Sequence, residues 1–261
     1  MGVRRLAIAG LTDLPQTCYE RASHPELPSG TIGDVSPLRR SGASSLGKRA
    51  ARIVSGDKHK LVVGLLGGIG AGKSAVARLL VEHGAAEIDS DRLNADELAQ
   101  PEVVDTLVGW WGEEILEDAG LIDRKAVANR VFGSDAERRK LEAFLHPRIG
   151  RQRSRLLAHY QQDPDCRLIV LNSPLLLEAG LDRLCDTLVF VACDRHRRLE
   201  RVMHTRGWSS EELDRREKLQ KPLDSKRNRA DHVLENNSSL DRLRNQAHNL
   251  FIKLLSCDLE A

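Results

Sequence analysis

No stretch of the 261 residues approaches the ~18 consecutive apolar residues that crossing a bilayer requires, which excludes a membrane-spanning helix. Cysteine is sparse and shows no pairing pattern. Cys18, Cys166, Cys185, Cys193 and Cys257 are odd in number, form no C-x-x-C and have no histidine at metal-ligand spacing. That argues against a disulfide framework and a zinc site, and for reduced thiols in a cytoplasmic setting. No internal repeat is present. A formal charge of +2 gives no argument for nucleic acid as a partner. The charge is uneven, however. Residues 1–60 hold 10 Lys+Arg against 5 Asp+Glu, so the rest of the chain is mildly acidic.

Residues 1–60 also lack apolar periodicity. Pro15, Pro25, Pro28 and Pro37 recur among Ser and Gly, as in Ser41-Gly42-Ala43-Ser44-Ser45. This composition predicts a mostly disordered extension. A transit peptide is the targeting alternative, but Asp13, Glu20, Glu26 and Asp34 are residues such peptides avoid. A misassigned start codon and a regulatory arm are the other two readings.

From residue 61 the pattern changes. Unbroken apolar runs at 61–67, 86–89, 167–173, 186–192 and 232–235 read as strands covered on both faces. Helical patterns lie between them at 74–83, 94–111, 124–132, 135–162, 194–205, 210–220 and 239–256. Such alternation predicts an α/β fold with a parallel sheet. The expected division places the core in residues 61–93, 163–194 and 230–256, a helical lobe at about 94–162 and a lid at about 195–229. The lobe exceeds what a crossover needs and is placed to bind an acceptor.

The sharpest motif is Gly67-Gly68-Ile69-Gly70-Ala71-Gly72-Lys73-Ser74, followed by Ala75, directly after the first apolar run. It fits the phosphate-binding G-x-x-x-x-G-K-[ST] loop without substitution. A loop between a strand and a helix N-terminus presents unsatisfied N–H groups and the positive end of a helix dipole. Residues 67–75 are therefore expected to cradle the phosphates of ATP, with Lys73 on the β- and γ-phosphates and the Ser74 hydroxyl on Mg²⁺. Asp89-Ser90-Asp91 ends the second strand and should face this loop. A carboxylate there can orient or deprotonate an attacking hydroxyl. Asp91, farther out, is preferred, with Asp89 assigned to substrate; a helix N-cap is the bland alternative for the pair. Asn172 stands where many such proteins carry a Walker B aspartate, so Mg²⁺ is expected to rest mainly on Ser74 and the phosphates.

His146-Pro147-Arg148 interrupts the pattern of 135–162, and His146 could reach a phosphate or sugar hydroxyl. Pro174, Leu175 and Glu178 follow the third strand, in the place of an acceptor-binding loop. The arginine-rich segment 195–229 suggests a lid over the nucleotide phosphates, with Arg206, and less firmly Arg201, as its charged contacts. Trp110-Trp111 could stack on adenine, although packing on a helix face is the favoured reading.

Three other classes compete. A guanine-nucleotide switch needs an N-K-x-D after a late strand, and the sequence has none. A dinucleotide-dependent oxidoreductase could use Gly70-x-Gly72-x-x-Ala75 with Asp89 or Asp91 downstream, but this leaves Lys73, Ser74 and the lid arginines without a role. A catalytically inactive relative of such a nucleotide-binding protein is disfavoured because every residue assigned to phosphoryl transfer is present. A small-metabolite kinase remains.

Over residues 61–251 the chain resembles the dephospho-CoA kinase family. The resemblance rests on the loop 67–74, Asp89-Ser90-Asp91, Asp123-Arg124, Val131-Phe132, the segment ending at His146-Pro147, and Pro174-Leu175-Leu176-Leu177-Glu178. Arg198, Arg201, Arg206, Arg216, Gln220, Lys226, Ala230-Asp231 and Asn236 continue it in the same order. Ala75 replaces a usual Thr, and Gly207 stands where an Asp commonly follows the lid arginine. The resemblance implies a P-loop three-layer fold with a five-stranded parallel sheet, helical acceptor-binding lobe and lid. It also implies ATP-dependent phosphorylation of the ribose 3′-hydroxyl of dephospho-CoA, with Mg²⁺. Another nucleoside or sugar kinase is the runner-up. The expected partners are small molecules only, and a monomer is the expected state.

Overall fold

The structure is a computed structural model that describes residues 59–256. The expectations for residues 1–58, and for Cys18 and Cys257, lie outside the described residues. Five strands form one parallel sheet: β1 (Val62–Gly67), β2 (Ala85–Asp89), β3 (Leu168–Asn172), β4 (Thr187–Ala192) and β5 (His232–Glu235). Their order is β2-β3-β1-β4-β5. Every residue of β1, β3 and β4 is buried, as unbroken apolar runs require.

Alternation along the strands divides the interior in two. Val63, Leu65, Leu168, Val170, Val189 and Val191 face one cluster, which helices α1 (Lys73–Val81) and α9 (Leu240–Ser256) complete. Val62, Leu66, Ile169, Leu171, Leu188 and Phe190 face the other, with Leu156 and Tyr160 from the end of α5 (Asp135–Gln162). β1 lies between β3 and β4, so the connections diverge beside it. That topology opens a crevice at the carboxyl ends of the strands, where the 67–74 loop sits.

A third apolar cluster lies apart from the sheet. It joins Leu98 of α2 (Ser90–Leu98), Val103 and Leu107 of α3 (Pro101–Trp111), Val127 and Val131 of α4 (Arg124–Phe132), and Leu141 and Leu145 of α5. Leu93 of the same α2 packs in the sheet core, so α2 links the two bodies. Trp111 is buried in this cluster and donates its indole N–H to Glu137 at 2.6 Å, while Trp110 packs edge-on against Phe144. Both tryptophans therefore serve packing. Ile69, Val202 of α6 (Arg195–Arg206) and Leu213 of α7 (Ser210–Glu217) form a small fourth cluster.

Several local expectations need correction. The stretch 94–111 is two helices, because Pro101 occupies the first turn of α3 and the residue before a proline resists helical geometry. His146-Pro147 does not interrupt α5, which runs unbroken for 28 residues. The one backbone bond that Pro147 removes would have ended on Ala143, an exposed residue whose carbonyl water can satisfy. A short helix, α8 (Leu223–Asn228), was not anticipated. Gly207 takes φ +66 as the cap of α6, a conformation an aspartate adopts less readily. His59 and Lys60, assigned above to the extension, bond to the body: Lys60 N–H donates to Gln161 at 2.8 Å and its ammonium to the Tyr160 carbonyl at 2.9 Å.

Candidate active site

The phosphate loop is held from outside. The Asn236 amide donates to the Ala71 carbonyl at 2.8 Å, and the Arg198 guanidinium to the Ile69 carbonyl at 3.3 Å. Arg198 is almost wholly buried and pairs with Glu217. Arg201, expected on the nucleotide, donates to the Gly70 carbonyl at 3.2 Å, to that of Ala71 at 3.3 Å and to the Asn236 carbonyl at 3.2 Å. In a trans peptide the N–H points opposite to the C=O. Fixing the Ile69 and Ala71 carbonyls outward therefore turns the amides of Gly70 and Gly72 inward, toward a bound anion.

Gly72 shows how tight this clasp is. It has φ +95, and a Cβ there would lie 2.2 Å from Asn236 Nδ2. Left-handed backbone alone costs an L-residue roughly 1–2 kcal/mol. Gly72→Ala is expected to weaken ADP binding at least about tenfold, measured by calorimetry, because the loop must relax to relieve the clash.

Lys73 leads α1 and bends back over the loop, donating to the Gly68 carbonyl at 3.0 Å and to that of Gly67 at 3.3 Å. Burial pushes its ammonium down to about 8, helped by the positive charges of Lys226 and Arg206 and opposed by Asp91 and Glu178. Four charged side chains from separate parts of the chain thus act on Lys73. Arg206 ends α6, with its guanidinium 4.8 Å from the centre of the Trp208 ring, and Arg216 approaches the same ring at 4.0 Å.

Asp89 caps α2: its Oδ1 accepts from the Asp91 amide at 2.8 Å and from that of Arg92 at 3.2 Å. The helix-cap alternative thus describes Asp89, while Asp91, in the first turn of α2, is the carboxylate whose charge reaches Lys73. Pro174 and Leu175 are half-buried after β3, whereas Leu176 and Leu177 belong to the core. His146 is exposed on α5 in the helical lobe and is not among the charges acting on Lys73.

Glu178 lies deeper than an exposed acceptor loop would place it. Its Oε1 pairs with the Lys226 ammonium at 2.9 Å and accepts from the Lys221 amide at 2.8 Å; both side chains of the pair are buried. Oε2 is buried and accepts no hydrogen bond. Lys226 also donates to Gln220 at 2.8 Å. Local pattern gave no sign of this role for Lys226, because a lysine in a charged stretch normally reads as surface.

The residues around Ser74 suit Mg²⁺. Ser74 is exposed at the start of α1, and its Oγ accepts a long 3.4 Å bond from the Asn172 amide. The side chains nearby offer oxygen donors, which a hard cation prefers. No group of three or more His, Cys, Asp or Glu able to hold a metal occurs among the described residues. Phosphate oxygens and water would complete the shell of a bound Mg²⁺, as that ion usually arranges. Glu87 accepts from the same Asn172 amide at 2.9 Å, and its carboxyl is held above the usual range, chiefly by burial.

Comparison with known proteins fits this geometry. Residues 61–242 match the family model described as dephospho-CoA kinase. The dephospho-CoA kinase of Corynebacterium glutamicum is 36% identical over 198 residues, covering 75% of this chain and 98% of that protein. That of Halalkalibacterium halodurans is 32% identical over 188 residues, covering 71% and 92%. A crystal structure from Thermus thermophilus shares 35% identity at a TM-score of 0.64, covering 75% of this chain and 98% of that one. A dephospho-CoA kinase structure from Campylobacter jejuni, at 20% identity and a TM-score of 0.55, shares the fold.

Proposed function

The chain belongs to the dephospho-CoA kinase family, and from that premise we propose how its residues divide the work. The reaction is ATP-dependent phosphorylation of the ribose 3′-hydroxyl of dephospho-CoA, the last step of coenzyme A synthesis. The observation that carries the division of labour is the convergence of Asp91, Arg206, Glu178 and Lys226 on Lys73 at the mouth of the phosphate loop.

The inward amides of the loop and the Lys73 ammonium hold the ATP phosphates in one orientation. Mg²⁺ held at Ser74 supplies neutralisation of phosphate charge when bound. Asp91 orients the acceptor hydroxyl for in-line attack and takes its proton, late in the step, since the transition state for phosphoryl transfer is loose. Arg206 leaves the face of Trp208 and swings onto the transferring group, where its fixed charge offsets the charge that develops. Arg201 acts indirectly, by setting the loop. Lys226 keeps Glu178 in place at the floor of the site. The half-buried Pro174 and Leu175 line the acceptor side, and the α2–α5 lobe, with His146 on its surface, receives the rest of dephospho-CoA. The enzyme acts as a monomer on small molecules in the cytoplasm, a setting that suits the free thiols of Cys166, Cys185 and Cys193. Phosphorus NMR of the product tests the regiochemistry: one new phosphomonoester on the ribose 3′-carbon is expected, and release of inorganic phosphate alone contradicts it.

The pH dependence follows from Lys73. Bound phosphates favour its ammonium and raise its pKa above the free-enzyme value of about 8. Binding at higher pH must therefore take up a proton. ADP affinity is expected to be flat below about pH 8 and to fall about tenfold per pH unit above it. Lys73→Arg stays charged and should lack this limb, whatever its affinity. Calorimetric Kd values across the range check both statements.

A further inference from the structure

We propose that Glu87 is a positioning residue of the magnesium site, acting through Asn172 on the Ser74 hydroxyl. The end of β3 faces the phosphate loop with an amide, Asn172, and a neutral amide brings no charge to a cation. A carboxylate lies directly behind it. Asn172 Nδ2 is 2.9 Å from Glu87 Oε1 and 3.4 Å from Ser74 Oγ, so one nitrogen spends its two hydrogens on these two oxygens. A side-chain amide has two faces that exchange roles on a half-turn. The carboxylate selects one of them, because it can only accept. Glu87 therefore fixes which end of Asn172 meets Ser74, the hydroxyl expected to ligate Mg²⁺.

The strand geometry explains why Glu87 can do this. β2 pairs with β3 in a register that sets Asp89 against Asn172 and Glu87 against Val170. Glu87 and Asp89 share one face of β2, two residues apart, while Ile88 points into the opposite core. β2 is an edge strand, and Glu87 is half-buried on it. Asp89 and, in the opposite sense, Arg78 on α1 and Arg92 on α2 act on its charge. A carboxylate retained in a strand beneath α1, aimed at the amide that contacts the loop serine, is placed to orient the ligands of a cation. Its contact is with Asn172, which places it behind that amide rather than on the serine itself. Partners at this remove typically change metal affinity or activity by about 10–100-fold when lost.

This inference rests on the kinase reading of the loop, and the experiment separates the two. The full-length protein is saturated with ADP and titrated with Mg²⁺, using calorimetry. Glu87→Gln should raise the apparent Kd for Mg²⁺ by about tenfold while leaving the Kd for ADP in EDTA within about twofold. In steady state, the Mg²⁺ requirement should rise with kcat at saturating Mg²⁺ retained. Adding Asn172→Asp to Glu87→Gln places a carboxylate beside Ser74 and should restore Mg²⁺ affinity. An unchanged Mg²⁺ Kd in Glu87→Gln, an equal loss of metal-free ADP binding, or no recovery in the double variant overturns the role of Glu87 and leaves the kinase standing. A wild-type protein that binds no ADP overturns the kinase reading itself.

Discussion

Asp91→Asn should lower kcat by about 10²–10⁴ and leave ADP binding nearly unchanged. The substitution is isosteric, so the first turn of α2 keeps its packing. The backbone amide of residue 91 still donates to Asp89 Oδ1, which fixes the position of the side chain relative to the loop. What is lost is the carboxylate that the proposed mechanism uses to orient the acceptor hydroxyl and take its proton. Asp89→Asn is the control on the same turn. Asparagine caps a helix about as well as aspartate, so that variant should lose little stability. If Asp89 matters only as a cap, its activity should fall far less than that of Asp91→Asn. Stopped-flow or steady-state rates with Mg-ATP, together with ADP affinities, separate the two. Near wild-type turnover in Asp91→Asn would remove it from the chemistry.

Lys226→Met should be the most destabilising single change in the site. Lys226 is among the largest fully buried side chains, and its partner Glu178 is buried as well. Removing the ammonium strands a carboxylate whose second oxygen already lacks a hydrogen bond. Breaking a buried pair on one side costs about 3–5 kcal/mol. For a protein of this size that lowers Tm by on the order of 10 °C. Replacing both partners with apolar residues removes the stranded charge, so Lys226→Met with Glu178→Leu should recover most of the loss. Activity should not recover with it, because both charges also act on Lys73. Thermal melts and rates on the three variants test this. A double variant as active as wild type would make the pair purely structural.

The sheet was legible because parallel strands covered on both faces must be continuously apolar, and each strand lies within one residue of its expected run. The loop was legible because its glycines and its Lys-Ser pair are adjacent in sequence. What escaped was made by residues distant in sequence. The outer clasp joins Arg198, Arg201 and Asn236 to carbonyls more than a hundred residues away, and nothing in an arginine-rich helix tells which guanidinium turns inward. Arg201 illustrates the point: the lid pattern suggested a phosphate ligand, and its donors go to the loop backbone instead. Lys226 sits on a helix of six residues with too few turns to show a periodicity. Glu87 drew no notice within its strand run, because its partner Asn172 lies 85 residues away on β3. Pro147 misled because proline removes one hydrogen bond, a loss a long helix can bear where water reaches the freed carbonyl.

The most direct measurement is ADP release by the full-length protein with Mg-ATP and a panel of acceptors. Dephospho-CoA should give turnover far above adenosine, gluconate, shikimate or water, and the activity should disappear in Asp91→Asn. Equal rates across the panel, or ADP release that needs no acceptor, would contradict a site built to phosphorylate dephospho-CoA.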